Sequence, residues 1–352
     1  MPSAPHINAI STAVPPHNVH ASFVHWASSR ISGRRDKAIF DRMVDRAGIA
    51  RRWSVLAPTA TGGAQTDFGG FYDEHDWPGT ARRMAIYAEQ APRLAQQAIC
   101  GLGPLDGVTH LVLASCTGFI APGIDQLLAR LLGLDPGIER TLVGFMGCYA
   151  AIAALRTAHH IVRSQPEAVV LVVTVELSTL HLQQTDALQS LLAMLLFADG
   201  AAAALVSARP EGLEIADPFS MALADSGDLI TWTVTDTGFV MGLSGEVPGR
   251  IAGALSDSAV QRRLFRAGPI DSWAVHGGGR SILDAVERSL DLPADALAPS
   301  RAVLRDCGNM SSATLMFVLA RIMAADARPQ AGMALAFGPG LAVEGLHYRA
   351  AR

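Results

Sequence analysis

Several signatures that would assign a class at once are lacking in this sequence of 352 residues. Only four cysteines occur, Cys100, Cys116, Cys148 and Cys307, and no two of them form a C-x-x-C pair. Disulfide-rich chains use far more cysteine per residue, so we interpret these four as free thiols, one of which can be chemically special. An H-E-x-x-H segment, a Cys/His cluster and a P-loop are lacking too, so no metal ion or bound nucleotide is expected.

A large excess of charge of one sign is also lacking. The net charge is −4, and the lysines and arginines are scattered along the chain instead of forming a stripe. Nucleic acids and anionic membrane surfaces are bound by concentrated positive charge, so neither is expected as a partner. No apolar run is suited to cross a bilayer, and residues 1–17 lack the basic start and apolar core of a secretory signal. A cytoplasmic location is therefore the default expectation.

Apolar residues, by contrast, are abundant. They make up 50% of the chain, against 17% for charged residues, which is ample for a large core. At roughly 100–200 residues per domain, the length fits two domains or two fused halves. β-Branched apolar runs predict buried strands at 110–118, 167–176 and 199–208, and helical spacing predicts helices at 80–102 and 123–134.

The second half of the chain repeats the order of elements in the first. A shift of 161 residues places Asn309 on Cys148 and His276 on Ser115, and both halves contain the same step of 33 residues. The repeat predicts two pseudo-equivalent α/β halves related by a pseudo-twofold axis. Each half then places one helix N-terminus at a shared centre.

The expected boundary between the halves follows the last strand of the first half. Residues 1–208 then form the half that carries the cysteine, and residues 209–352 form the half that carries the histidine and the asparagine. Residues 209–271 contain more turn and polar residues than their surroundings. We expect this segment to hold loops that line a pocket.

Cys148 lies where the apolar stretch 142–162 becomes helical. A lone cysteine in an apolar helix is usually a small buried hydrophobe. Here, Gly144 and Gly147 indicate a turn directly before it, so a helix beginning near Cys148 would present unpaired N–H groups and a positive dipole end to the sulfur. That setting lowers a thiol pKa and favours the thiolate, so we predict a nucleophilic cysteine.

Two polar residues of the second half are candidate partners of this sulfur. His276 ends an apolar strand and precedes three glycines, and strand ends in α/β folds point into crevices. It could pair with the thiolate when protonated, or donate an N–H when neutral. Asn309 opens an apolar helix, where asparagine is usually an N-cap. Because the repeat equates it with Cys148, we expect it to donate to an enolate or oxyanion instead.

Five segments resemble, in the right order, the motifs of type III polyketide synthases, the chalcone-synthase-like enzymes. They are GFMGCYAA (144–151), LLFADGAAAALV (195–206), WAVHGGG (273–279), CGNMSSAT (307–314) and AFGPGL (336–341). The resemblance implies a thiolase-like fold, with a duplicated αβαβα core of five layers, in a homodimer. It also implies decarboxylative condensation of malonyl-CoA onto a starter acyl-CoA, with these CoA thioesters as substrates and no further cofactor.

The same resemblance implies roles for individual residues. Cys148 would carry the acyl group, and His276 and Asn309 would hold the thioester oxygen of malonyl-CoA while carbon dioxide leaves. Phe197 falls on the gatekeeper phenylalanine of the family. Met241 stands where the second gatekeeper phenylalanine is expected, which implies a more adaptable pocket mouth.

Residues farther from the sulfur also match family positions. Arg42 and Arg46 correspond to basic residues that contact the CoA phosphates, which suits a polyanionic ligand, whereas a third basic position is Ile39 here. His181 corresponds to a pocket position that varies with the starter. Ala121 replaces a methionine that reaches into the partner's cavity in plant members.

Three alternatives remain open on the sequence alone. A ketoacyl synthase III-type enzyme shares the Cys/His/Asn set, but it uses an acyl carrier protein and stops after one condensation. A non-catalytic partner subunit would keep the fold, although the intact set argues against it. A cysteine hydrolase has the least support, because nothing here explains a preference for water. Small residues around the motifs, together with Met241, favour fatty acyl starters and pyrone or resorcinol products.

Overall fold

The computed structural model describes residues 4–57, 70–266, 268–326 and 328–351. Its strands are β1 (His6–Ala13), β2 (His17–Asn18), β3 (Trp53–Ser54), β4 (His110–Ser115), β5 (Glu139–Gly144), β6 (Val170–Leu177), β7 (Asp199–Ser207), β8 (Leu213–Ala222), β9 (Ile230–Thr235), β10 (Gly238–Leu243), β11 (Ser272–Val275), β12 (Gly332–Gly338) and β13 (Ala342–Ala350). Its helices are α1 (His20–Arg30), α2 (Arg34–Ala47), α3 (Thr80–Cys100), α4 (Ile124–Leu131), α5 (Ala150–Ser164), α6 (Leu188–Met194), α7 (Val247–Ser256), α8 (Ser258–Leu264), α9 (Arg280–Ser289), α10 (Ala298–Cys307) and α11 (Ser312–Ala324).

The central nine-stranded sheet has the order β11-β12-β13-β8-β1-β7-β6-β4-β5. From its middle outward, β8, β13, β12 and β11 repeat the arrangement of β1, β7, β6 and β4. The outer pairs, β4 with β6 and β11 with β12, are parallel, and the inner pairs are antiparallel in both halves. Two pseudo-equivalent halves, as predicted from the repeat, are thereby confirmed. The boundary at 208 and 209 stays a prediction.

Alternate residues of the strands face two different cores. On β6, Leu171 and Val173 belong to a cluster that includes α3, whereas Val170 and Val172 belong to a cluster that includes α5 and α11. Successive side chains of a strand point to opposite faces, so the sheet is covered on both sides. Such strands are expected to be apolar throughout, which is how β6 could be predicted from the sequence.

The helices α5 and α11 form the middle layer of the molecule. α5 contacts β4 and β6 of the first half and β8 and β13 of the second, and α11 contacts β6, β7 and β11. Nine residues of each helix are buried. Residues 150–155 of α5 and most residues of α11 are apolar, and such runs must be enclosed, so the composition of these segments explains their central place. α3 covers strands of the first half from outside, and α9 shares a core cluster with β11 and β12.

The expectation of loops over residues 209–271 is wrong for most of that segment. It contains β8, the hairpin of β9 and β10, and the helices α7 and α8. Residues of β9 and β10 are largely half-buried or exposed, so polar residues alternate there without marking a loop. The segment does line a pocket, as expected, through β10 and α7.

None of the helices in the described ranges combines the length and apolar character needed to cross a bilayer. Within the same ranges, no group of three or more His, Cys, Asp or Glu side chains is arranged to hold a metal ion.

Candidate active site

A cavity of about 820 Å³ lies where the two halves meet. α2, α6, α7 and the first turn of α9 surround it, and Cys148, His276 and Asn309 all line it. The structure therefore brings the three candidate residues of the sequence to one place, although they come from different halves of the chain.

The turn before α5 places Cys148 on the cavity wall. Gly147–Tyr149 form one 3₁₀ turn that continues into α5, so a helix does begin at the cysteine as predicted. Gly147 has a φ of 71°, and a Cβ there would lie 2.4 Å from Cδ of Pro339. Both the left-handed backbone and the close approach of the second half require glycine at this position.

Burial dominates the chemistry of the Cys148 thiol, which is only 8% exposed. Burial raises its pKa to about 11, the nearby Glu176 carboxyl adds to the rise, and hydrogen bonds with Ser311 and Asn309 oppose it. The expectation of a thiol pKa lowered by the helix terminus is therefore wrong. A helix end offers partial charges, which do not compensate here for the loss of water around the sulfur.

His276 follows β11, and its backbone N–H donates to the carbonyl oxygen of Leu335 at 2.8 Å. Burial lowers the pKa of His276 to about 4, so the ring is neutral at pH 7. Neither ring nitrogen has a hydrogen-bond partner among the described residues. Of the two states expected for His276, the shifts favour the neutral one. A neutral thiol and a neutral imidazole then line the same cavity, and the ring nitrogens remain available to a substrate.

Asn309 does not cap a helix, because α11 begins only at Ser312. Its Nδ2 donates to the carbonyl oxygen of Gly278 at 3.1 Å, and its Oδ1 accepts the N–H of Ser311 at 2.8 Å. These bonds fix the plane of the carboxamide. Hydrogen bonding by Asn309 to the Cys148 sulfur works against the rise of the thiol pKa.

Phe197 and Met241 line both this cavity and a smaller neighbouring one of about 50 Å³. They therefore lie at the boundary between the two spaces. Their positions agree with a gate between the two spaces. The methionine side chain is flexible, so this boundary can adapt its shape more easily than it could with a second aromatic ring.

His181 lines only the smaller cavity. Its Nε2 donates to the carbonyl oxygen of Thr117 at 2.7 Å, and its Nδ1 accepts the N–H of Phe239 at 3.0 Å. The ring also stacks on Phe239, with centroids 4.3 Å apart, and burial lowers the pKa of His181 to about 3. The side chain is therefore a fixed, neutral part of the wall.

The basic residues divide into two groups. Arg46 lines the cavity, whereas Arg42, one turn earlier on α2, is exposed and does not. Arg280 also lines the cavity and was missed in the sequence, although it directly follows the HGGG segment and opens α9. Ala121 is exposed and lines neither cavity of its own chain.

A buried polar network behind the sulfur was also missed. Glu176 accepts hydrogen bonds from the backbone N–H of Cys116 at 3.0 Å and from Oγ1 of Thr117 at 2.8 Å, and burial raises its pKa. The thiol of Cys116 lies 3.3 Å from Oγ of Ser311, which also contacts the Cys148 sulfur. Cys116 follows β4 and Glu176 lies near the end of β6, so the strand-end rule that singled out His276 could have found them.

The site consists of a thiol at a helix start, an imidazole at a strand end and a carboxamide, all in one apolar cavity of a duplicated α/β fold. This arrangement defines the class of thiolase-like condensing enzymes. Profiles of the chalcone and stilbene synthase N-terminal and C-terminal domains match residues 3–210 and 216–351. The chain therefore belongs to the chalcone and stilbene synthase family of type III polyketide synthases, which are acyltransferases that use malonyl-CoA.

Individual relatives agree with this family. An alpha-pyrone synthesis polyketide synthase-like protein of Mycobacterium tuberculosis is 37% identical over 289 residues, which cover 76% of this chain and 73% of the relative. Bisdemethoxycurcumin synthase of Oryza sativa is 32% identical, over 96% of this chain and 90% of the relative.

Solved structures confirm the fold that the resemblance implied. The type III polyketide synthase domain of Steely1, a type I/III hybrid from Dictyostelium, superposes with a TM-score of 0.89 at 26% identity, covering 99% of this chain and 100% of the domain. PKS-I of the brown alga Ectocarpus siliculosus has a TM-score of 0.87 at 29% identity, with 99% of both chains covered.

Proposed function

We propose that this enzyme transfers a starter acyl group from CoA to Cys148, extends it with malonyl-CoA and cyclises the product. The observation that carries this proposal is the meeting of Cys148, His276 and Asn309 on the wall of one largely apolar cavity. A sulfur nucleophile and two N–H donors that are shielded from water suit a reaction in which an enolate must form and survive.

Loading begins with attack of the Cys148 sulfur on the starter thioester. The neutral His276 ring accepts the thiol proton as the new S–C bond forms, then passes it to the departing CoA sulfur. One thioester replaces another, so no oxidant or reductant is needed. The raised thiol pKa makes this assistance necessary, since only about one thiol in 10⁴ is ionised at pH 7 when the pKa is about 11.

Extension uses the same cavity. The bond between the malonyl carboxylate and its α-carbon breaks, carbon dioxide leaves, and the electron pair becomes an enolate on the thioester oxygen. N–H groups of His276 and Asn309 donate to that oxygen. The enolate carbon then forms a C–C bond to the acyl carbon on Cys148, and the S–C bond to Cys148 breaks. The lengthened chain is now the acyl group of the CoA that carried the malonyl unit, and the released Cys148 thiolate can accept it again. Removing one such donor costs about 10²–10³ in rate.

The CoA moiety is proposed to lie at the mouth of the cavity, toward α2. Support comes from Arg46 and Arg280, two exposed guanidinium groups that line this opening and suit phosphate oxygens. Arg42, on the adjoining turn of α2, is proposed to add long-range attraction. No other cofactor is proposed, and a cytoplasmic location stays a prediction.

Fatty acyl starters and pyrone or resorcinol products are the proposed chemistry of this cavity. Its walls include the apolar side chains of Leu188, Leu192, Ile230, Leu243 and Ile251. Such a lining favours an alkyl chain over a polar or charged starter. The name of the mycobacterial relative, which refers to alpha-pyrone synthesis, supports the pyrone alternative.

A homodimer is proposed on the basis of an exposed apolar patch, defined by Phe119, Leu142 and Phe145. Their side chains are 70%, 51% and 45% exposed, and the rings of Phe119 and Phe145 lie 6.1 Å apart. The patch adjoins β5, an edge strand whose residues are nearly all exposed. A large exposed patch at an unpaired edge favours association with a second copy. Ala121, two residues from Phe119, would then face the partner.

The direct test is a product assay with the purified enzyme. We would supply malonyl-CoA with a panel of acyl-CoA starters and read product masses, with no acyl carrier protein present. The proposal predicts a product that contains the starter and two or more decarboxylated malonyl units and that is released after it cyclises. A product formed only with carrier protein and after one condensation would point to a ketoacyl synthase III-type enzyme. Free fatty acid as the only product would indicate a hydrolase. A Cys148 that is never acylated would indicate a non-catalytic subunit.

A further inference from the structure

Arg52 is a buried cation that the reaction described above does not use. It is 2% exposed and lies just before β3. Its Nη1 donates to the carbonyl oxygens of Phe197 at 2.7 Å and Met194 at 3.0 Å, and its Nε donates to Nδ1 of His20 at 3.1 Å. One guanidinium thus holds two main-chain oxygens of the segment that ends in Phe197.

The position of this guanidinium is itself fixed from the far side. Its central carbon lies 4.5 Å from the ring of Phe23, and the charge of Asp199 attracts it. Asp199 is held in turn by the N–H groups of Thr179 at 2.8 Å and Val55 at 2.9 Å. Arg52 is therefore anchored by groups outside the larger cavity, which it does not line, although Arg52 and Phe23 both line the smaller one.

The segment held by Arg52 is bonded on its other side to Asn309. The N–H of Asn309 donates to the carbonyl oxygen of Leu196 at 2.8 Å, and the N–H of Ala198 donates to the carbonyl oxygen of Asn309 at 2.9 Å. Arg52 also packs against Gly308, where a Cβ would lie 2.9 Å from Cγ of Arg52. The arginine therefore contacts the carbonyl oxygen of the gate residue Phe197 and packs against Gly308, which directly precedes Asn309 in the chain.

We infer that Arg52 is a positioning residue that sets the Asn309 carboxamide and the Phe197 ring. The inference rests on the proposed function and names a residue that acts through two others. Without its guanidinium, two buried carbonyl oxygens lose their donors, and the segment between them relaxes toward other partners. Asn309 moves with that segment, and a displacement near 1 Å is enough to cost about 10²-fold in rate. Cys148 lies in the same half of the chain as the segment, but no hydrogen bond joins the two among the described residues.

The experiment compares two partial reactions in each variant. Cys148 acylation is followed by intact mass, and malonyl-CoA decarboxylation is followed by release of carbon dioxide. Arg52→Met is expected to lower decarboxylation about 10²-fold while acylation falls by less than about threefold. Arg52→Lys keeps the charge and one donor group, so partial rescue is expected. The range of accepted starter lengths should broaden in both, because the Phe197 ring is less firmly held.

Arg83 offers a matched control. It is another fully buried arginine, and its Nη1 donates to the carbonyl oxygens of Leu180 at 2.6 Å and Leu182 at 2.9 Å. Its segment is not bonded to Asn309, so Arg83→Lys should leave the ratio of decarboxylation to acylation unchanged. If Arg52→Met does not fold, Arg52→Gln serves instead, because it removes the guanidinium, keeps a polar side chain at the site and should lower the same ratio.

The outcomes separate the inference from the proposed function. A wild-type enzyme that neither loads nor decarboxylates would end the proposed function itself. If the wild type does both and the Arg52 variants lower both in equal proportion, Arg52 is only structural and the inference is overturned. A selective loss of decarboxylation, with partial rescue by lysine, supports it.

Discussion

The meeting of Cys148, His276 and Asn309 in one cavity could be predicted residue by residue, but their protonation could not. Cys148, His276 and Asn309 stood out because a glycine turn, a strand end and an internal repeat marked them. The pKa of a thiol depends on the water around it, and the burial of Cys148 comes from contacts with the other half of the chain. The burial of a side chain depends on the tertiary structure, so a local sequence motif does not predict it.

The neutral states of Cys148 and His276 predict how the reactivity of the thiol depends on pH. If burial holds the pKa of Cys148 near 11, the thiolate fraction grows about tenfold per pH unit below that value. Alkylation of Cys148 by iodoacetamide should therefore accelerate throughout pH 7–10. Cys116 serves as the internal control. Burial also raises its thiol pKa, and it is 4% exposed against 8% for Cys148, so its labelling should stay slower. A rate that already levels off below pH 7 would mean a preformed ion pair with His276.

The carboxamide of Asn309 should matter most when an enolate forms. Asn309→Ala removes one N–H donor and is expected to slow malonyl-CoA decarboxylation about 10²–10³-fold, with a much smaller effect on starter loading. The two rates are measured separately, as carbon dioxide release and as acyl-enzyme mass. Equal losses of both would argue that Asn309 serves only to hold the backbone of Leu196 and Ala198.

At the scale of elements, composition predicted the buried helices and strands better than the half-exposed ones. Residues 150–155 of α5 and most residues of α11 are apolar, and such runs indicate enclosed helical segments. β9 and β10 carry mixed polar and apolar residues at half-exposed positions, a pattern that a single sequence does not separate from loop. The turn at Gly147 was predictable, but its contact with Pro339 joins residues that are distant in the chain and required the fold.

That contact makes Gly147 a sensitive position. Gly147→Ala places a Cβ 2.4 Å from Cδ of Pro339 on a backbone with a φ of 71°. We expect a loss of about 1–3 kcal/mol in the free energy of unfolding and slower acylation of Cys148, measured by urea titration and intact mass. Gly253→Ala is the matched control. Its site in α7 is exposed and open, so stability should rise by up to about 1 kcal/mol. Equal behaviour of the two variants would contradict this account of the turn.

At the scale of the whole molecule, the duplicated fold places catalytic groups from both halves around one cavity and leaves one edge of the sheet exposed. The strand order shows no counterpart of β5 in the second half among the described residues. The fold class could be inferred from five motifs in order, whereas the exposed patch of Phe119, Leu142 and Phe145 could not. Its members are scattered in sequence and become neighbours only when β4 and β5 pair.

The patch predicts the state of association. Light scattering after size exclusion should give about twice the chain mass of 37.1 kDa. Phe119→Asp combined with Leu142→Asp should shift the enzyme to single chains, because two charges cannot be buried there without partners. Phe265→Asp, at an exposed aromatic residue of the second half, should leave the mass unchanged. A single-chain mass for the wild type would end the dimer proposal.

The most direct measurement of the central claim is the site of covalent acylation. The enzyme is incubated with a fatty acyl-CoA, quenched in acid and mapped by peptide mass, with all four free cysteines as possible sites. We predict one acyl group on Cys148 alone, which malonyl-CoA then chases into a longer product, and no acylation of Cys148→Ala. An acyl group on Cys116, or an unchanged adduct on the alanine variant, would contradict the account.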